Sequence, residues 1–135
     1  MVLSKAEVWA MLQGAKLLKH KILIGLLYGC GLRCMEARCV RLQDLDFDRK
    51  QLKVVQGKGK KDRYVPLSVH LIRGLKKYIE AEKPKEYLFN GQPIERSGGD
   101  FDSRYSQRGV QWAVKTVAKS VGITKEVHVH SLRHT

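Results

Sequence analysis

The sequence predicts a mostly helical α+β domain carrying one small antiparallel sheet. Apolar residues recur at helical spacing along most of the chain, and the period drops to two between residues 45 and 67. Gly- and Pro-bearing breaks separate the stretches. With 135 residues, 43% of them hydrophobic, there is material for one core, so residues 1–135 are expected to form one domain.

Ser4 with Glu7 three positions on has the form of a capping box, opening an amphipathic helix that runs to about Lys16. A second helix is expected from Leu18 to Gly29, burying Ile22, Leu23, Leu26 and Leu27, with Gly29 and Gly31 breaking it. A shorter helix from about Arg33 to Val40 sets Arg33 and Glu36 one turn apart. Leu45 and Phe47 then alternate with Asp44, Asp46 and Asp48, and Leu52 and Val54 alternate with Gln51, Lys53 and Val55. The turn-rich Gly57-Lys58-Gly59-Lys60-Lys61 separates these from Tyr64-Val65-Pro66-Leu67, which predicts a sheet with a basic hairpin tip. Pro66 suits an edge or a strand end.

Ser68 can cap the next helix, whose apolar positions Ile72, Leu75 and Ile79 have helical spacing and which Pro84 ends. From Asn90 to Asp102 the composition turns to Gly, Pro and polar residues, so a loop is expected there. Val110, Ala113, Val114, Val117 and Val121 define a further helix closed by Gly122. The sequence closes on His128-Val129-His130-Ser131-Leu132-Arg133-His134-Thr135 as another helix begins. A domain incomplete at its C-terminus is therefore expected.

Charge narrows the function. Lys and Arg number 26 against 13 Asp and Glu, a formal +13 with an isoelectric point near 9.9. Such an excess costs self-repulsion in the folded state and points to an anionic partner, nucleic acid ahead of an acidic protein or a membrane surface. The longest apolar run, Ile22 to Tyr28 broken by Gly25, is too short to span a bilayer. The N-terminus lacks a secretory pattern, so a cytoplasmic protein with no membrane partner is expected. Cys30, Cys34 and Cys39 are odd in number and not in a CxxC arrangement, which favours reduced, mostly buried thiols over zinc or a disulfide.

Three basic sites stand out: Arg33 in Gly31-Leu32-Arg33 with Glu36 beyond it, Lys58 between two glycines, and His130 with Arg133 on one face of a helix. Each has an ordinary reading by itself. Arg33 is a surface arginine after a helix-ending glycine, or half of an i,i+3 ion pair with Glu36 worth about 0.2–0.5 kcal/mol. Lys58 is a solvated turn lysine, and His130 and Arg133 are helix-start residues. His128, His130 and His134 suggest a metal, with His130 and His134 spaced i,i+4 as in zinc helices, but the HExxH pattern is absent, so none is expected. The glycine-lysine run lacks the spacing of a P-loop. His20 and His70, without sequence partners, read as surface residues.

Taken together, the sites carry a resemblance. Leu26-Leu27-Tyr28-Gly29-Cys30-Gly31-Leu32-Arg33-Cys34-Met35-Glu36 resembles the first-arginine box of the tyrosine recombinases, or phage integrases, and Asp44-Leu45-Asp46-Phe47 resembles the segment that follows it. Gly57-Lys58-Gly59-Lys60-Lys61-Asp62-Arg63-Tyr64-Val65-Pro66-Leu67 is similar to that family's hairpin, and His130-Ser131-Leu132-Arg133-His134-Thr135 to its H-x-L-R-H-[ST] box. Order and approximate spacing match along nearly the whole chain. The resemblance implies an integrase-type catalytic domain and an enzyme that breaks and rejoins DNA through a 3′-phosphotyrosyl intermediate.

It also implies roles. Attack on a DNA phosphodiester builds negative charge on the non-bridging oxygens, which two forked guanidinium groups can clamp. The resemblance assigns those clamps to Arg33 and Arg133, the general acid to Lys58, and support of proton transfer to His130. Glu36 resembles the acidic residue that orients the basic groups, and Lys60, Lys61 and Arg63 of the hairpin are expected to contact DNA. No cofactor or metal enters this scheme. The expected partner is double-stranded DNA, with four copies on two DNA sites as the working unit of the full-length protein. In the family a second His or Trp and then the nucleophilic tyrosine follow the last box, whereas Tyr28, Tyr64, Tyr78, Tyr87 and Tyr105 all precede it. The chain alone is therefore expected to bind DNA without cleaving it. The alternative is a non-catalytic basic DNA-binding module.

Overall fold

Ser4 Oγ accepts the Glu7 N–H at 3.1 Å and Glu7 Oε1 accepts the Ser4 N–H at 2.9 Å, so the capping box forms and opens α1 (Lys5–Gly14). The computed structural model describes residues 3–55, 61–95 and 101–133; residues 90–95, 101–103, 130 and 133 are described by their backbone alone. Lys125 Nζ reaches the same Glu7 carboxylate at 2.8 Å, which fastens the start of α1 to a distant loop.

α2 (Leu18–Gly29) has the predicted bounds and buries Ile22, Leu23, Ile24, Leu26 and Leu27. A helix apolar over so much of its circumference must be covered on several sides. Accordingly it packs against α1, α4, α5 and α6 and forms the spine of the core. One expectation fails here: His20 is not a surface residue. It is only 6% exposed and stands edge-on to the Trp112 ring at 5.9 Å between centroids. Burial pushes its imidazole pKa down, with the Lys19 charge adding to the shift. His70 is exposed, as expected.

Gly31, at φ +62, turns the chain from α2 into the short α3 (Cys34–Arg38). Cys30, Cys34 and Cys39 are free thiols. Cys30 is buried, and desolvation pushes its pKa up to about 11, while the other two are half-buried.

After a 3-10 turn at Leu42–Asp44 come β1 (Leu45–Asp46), β2 (Gln51–Val54) and β3 (Arg63–Pro66). They form one antiparallel sheet in chain order, with Leu45 opposite Leu52, Leu52 opposite Val65 and Val54 opposite Arg63. Leu52 and Val54 face the core, as the period-two pattern requires. Pro66 ends its strand.

α4 (Val69–Glu82) starts at Ser68, whose Oγ accepts the Leu71 N–H at 3.1 Å, and ends at left-handed Lys83 (φ 48) before Pro84. Ser68→Ala removes that acceptor and is expected to cost about 0.5–2 kcal/mol, read as a lower urea midpoint with an unchanged slope.

The expected loop from Asn90 to Asp102 is a correction. Its described backbone forms β4 (Asn90–Glu95) paired antiparallel with β5 (Phe101–Arg104). The register shifts between Asn90 and Ile94, a bulge that lets a ribbon pass Gly91 and Pro93 without a regular ladder. α5 (Gln107–Ser120) follows, burying Val110, Ala113, Val114 and Val117, and Gly122 (φ 82) closes it. α6 (Val129–Arg133) packs on α2 and α5 through Val129 and Leu132. Among the described residues, no helix is long and apolar enough to cross a membrane.

Candidate active site

Leu32, fully buried, pins the turn that follows Gly31, and the next residue, Arg33, emerges as the N-cap of α3 with an exposed side chain. Its backbone N–H donates to Glu36 Oε1 at 2.8 Å. This is the capping bond that a Glu at the third helical position supplies. Arg33 is thus held by its backbone while its guanidinium faces solvent.

Glu36 has a second task. Arg63, at the start of β3, donates Nη1–H to Glu36 Oε2 at 2.7 Å and Nη2–H to Glu36 Oε1 at 3.1 Å. The pair is a two-bond fork, and Glu36 is mostly covered, its side chain 12% exposed against 37% for Arg63. The hydrogen bond to Glu36 holds the Arg63 pKa above its ordinary value. Across the same hairpin base Lys53 Nζ lies 3.6 Å from Asp62. One carboxylate therefore joins the α3 turn to the sheet.

Ser131, buried, accepts the His128 N–H on its Oγ at 3.1 Å and donates its own N–H to the His128 carbonyl at 2.9 Å. α6 rests on α2, the helix that leads into Gly31 and Arg33.

The structure thus brings together the Arg33 turn, Glu36 and Arg63. It places Lys61 exposed beside the hairpin base. Lys58 and Lys60 lie outside the described residues, and His130 and Arg133 are placed on α6 by backbone alone. The fork between Arg63 and Glu36 is the feature that sequence reasoning missed. The two residues are 27 positions apart, so no local spacing announces them.

Beyond these residues, Arg38 of α3 is buried, and its Nε–H donates to the Tyr105 carbonyl, tying α3 to the entrance of α5. Tyr78 and Tyr105 are buried as well, and desolvation raises both phenol pKa values, that of Tyr78 to about 12. Such phenols are poorly placed to ionise and attack.

The model of the phage integrase family matches residues 1–135. A tyrosine recombinase of Thermosipho africanus is 41% identical over 119 residues, covering 87% of this chain and 38% of the relative. In three dimensions the chain is similar to the crystal structure of XerA recombinase, with a TM-score of 0.86 at 24% identity, covering 99% of this chain and 47% of that one. It is also similar to XerH site-specific recombinase bound to difH substrate in a pre-cleavage complex, with a TM-score of 0.78 at 23% identity. That match covers 99% of this chain and 40% of XerH. The chain spans less than half the length of each of these relatives. With the family's model matched from end to end and the sheet and helices superposing on recombinase structures, the chain belongs to the phage integrase family of tyrosine recombinases.

Proposed function

We propose that residues 1–135 carry the phosphate-gripping groups of a site-specific recombinase that cuts and rejoins duplex DNA through a 3′-phosphotyrosyl intermediate. The observation that carries this reading is Arg33: its backbone is fixed by Glu36 beside the hairpin base, and its guanidinium is left exposed.

In the proposed reaction a tyrosine oxygen attacks phosphorus, a P–O(Tyr) bond forms and the P–O5′ bond breaks. Arg33 and Arg133 stabilise the charge gathering on the non-bridging oxygens. Lys58 gives its proton to the departing O5′, and His130 supports removal of the proton from the attacking tyrosine. Lys60 and Lys61 add phosphate contacts along the duplex. Glu36 orients the basic groups. The fitting partner is double-stranded DNA, with four copies on two sites as the working assembly of the complete protein. A cytoplasmic location goes with that substrate.

The attacking tyrosine is proposed to lie outside residues 1–135. All five tyrosines precede the His130–Arg133 box, and Tyr78 and Tyr105 are buried with raised pKa values. On this reading the 135-residue chain binds duplex DNA without cutting it.

Fluorescence anisotropy of the 135-residue chain on a labelled duplex tests the binding half. Affinity is expected to fall steeply with salt, the slope of log K against log[salt] being about −0.9 for each phosphate neutralised. A flat titration at low salt would remove DNA as the partner. A nicked duplex that traps a covalent protein–DNA adduct, used with the complete protein carrying these residues, separates the enzyme from a non-catalytic binding module.

A further inference from the structure

The strand register places Arg63 at a mechanical junction. Val54 pairs with Arg63, so residues 55–62 connect β2 to β3, and Lys58 falls among them in sequence although it lies outside the described residues. Arg63 is the first paired residue after that connection. Its guanidinium is bound by two hydrogen bonds to Glu36, whose Oε1 also caps the turn presenting Arg33. A forked pair resists rotation in a way that a single point contact does not, because two parallel bonds must be broken to swing the side chain. The carboxylate thus has the hairpin base on one side and the Arg33 turn on the other.

We infer that Arg63 is a positioning residue: its fork to Glu36 holds the hairpin base against α3, and the acid role proposed for Lys58 depends on that hold. The inference rests on the proposed roles of Arg33 and Lys58. It reassigns Arg63 from a DNA contact to an internal strut. With two of its donors and much of its charge given to Glu36, the Arg63 guanidinium offers a DNA phosphate less than Lys61 does, which is exposed beside it. The Arg33 capping bond is accepted by the same Glu36 Oε1, but it closes within the first turn of α3, between residues three apart, and is expected to persist when Arg63 is removed. Loss of Arg63 therefore acts on the acid side of the site and spares the clamp.

The leaving group can be made to report on that distinction. A DNA strand with sulfur in place of O5′ at the cut site expels a thiolate, which needs no proton, whereas the ordinary alkoxide does. In the complete protein, Arg63→Ala is expected to cut ordinary DNA about 10²-fold more slowly, the scale of a misplaced catalytic group. On the sulfur substrate it should return to near the wild-type rate, as should Lys58→Ala. Arg33→Ala should stay slow on both.

Arg63→Lys keeps a cation beside Glu36 but loses the fork, so it should show the same selective defect in milder form; this keeps the test open if the alanine variant folds poorly. Equal slowing of Arg63→Lys on both substrates overturns the inference, since exposing the Glu36 charge to the phosphate or loosening the fold would act without regard to the leaving group. So does a wild-type rate for both Arg63 variants on ordinary DNA. If Lys58→Ala is recovered by sulfur and the Arg63 variants are not, only the strut falls and the acid role of Lys58 stands. If Lys58→Ala is not recovered, that acid role falls and the inference with it.

Discussion

Arg33→Ala in the complete protein is expected to slow strand cleavage by about 10²–10³-fold, the usual loss when one preorganised donor to a developing oxyanion is removed. Affinity for duplex DNA should change far less. One phosphate contact among many is lost, and the salt slope should become shallower by about 0.9. The fold should survive, because the capping bond to Glu36 uses the Arg33 backbone N–H, which alanine retains. Arg33→Lys restores a charge but not a fork that can bind two oxygens, so its rate should fall between the two. Single-turnover formation of the covalent adduct measures the chemistry, and anisotropy on the same duplex measures binding. An alanine variant that forms adduct at the wild-type rate would take Arg33 out of the clamp.

Most of the scaffold behind that residue was legible because burial wrote it at short range. Ile22, Leu23, Leu26 and Leu27 mark α2 by spacing alone, and Ser4, Ser68 and Gly122 mark helix ends by chemistry that acts within one turn. Leu52 and Val54 reveal a strand in the same way. Where the decisive contact was distant in sequence, the reading failed. His20 has no local signal of burial; its ring contact, Trp112, comes from α5, 92 positions away. β4 and β5 read as a loop because Gly91 and Pro93 are breakers, and a bulge accommodates them.

The site divides along the same line. Arg33 and Glu36 sit three apart, so their association at a helix start could be foreseen from spacing. The charge excess flagged the hairpin basic residues together, without distinguishing exposed Lys61 from Arg63, which turns back onto Glu36. Net charge counts cations; it does not say which are already paired inside the protein.

Phe89→Ala should produce the largest loss of stability, about 3–5 kcal/mol, the range for emptying a buried aromatic position. Phe89 is fully buried, its ring 5.8 Å from that of Tyr78 and 6.4 Å from that of Tyr105. The segment around it is a seam. Leu88 N–H donates to the Val40 carbonyl at 2.8 Å, Leu42 N–H to the Glu86 carbonyl at 2.9 Å, and Tyr105 N–H to the Phe89 carbonyl at 3.1 Å. Through this seam the end of α3, the end of α4 and the entrance of α5 are joined, and Arg38 of α3 is bound to the Tyr105 carbonyl. Against a typical total of about 5–15 kcal/mol, such a loss removes from about a fifth of the domain's stability to all of it. Trp112→Ala is the matching control: it removes a larger ring, but one that is 60% exposed, so its cost should be much smaller. Urea unfolding of both variants gives the comparison. A Phe89→Ala midpoint equal to that of Trp112→Ala would mean that the seam yields easily, and that α3, with Arg33 at its head, is held by α2 and the sheet instead.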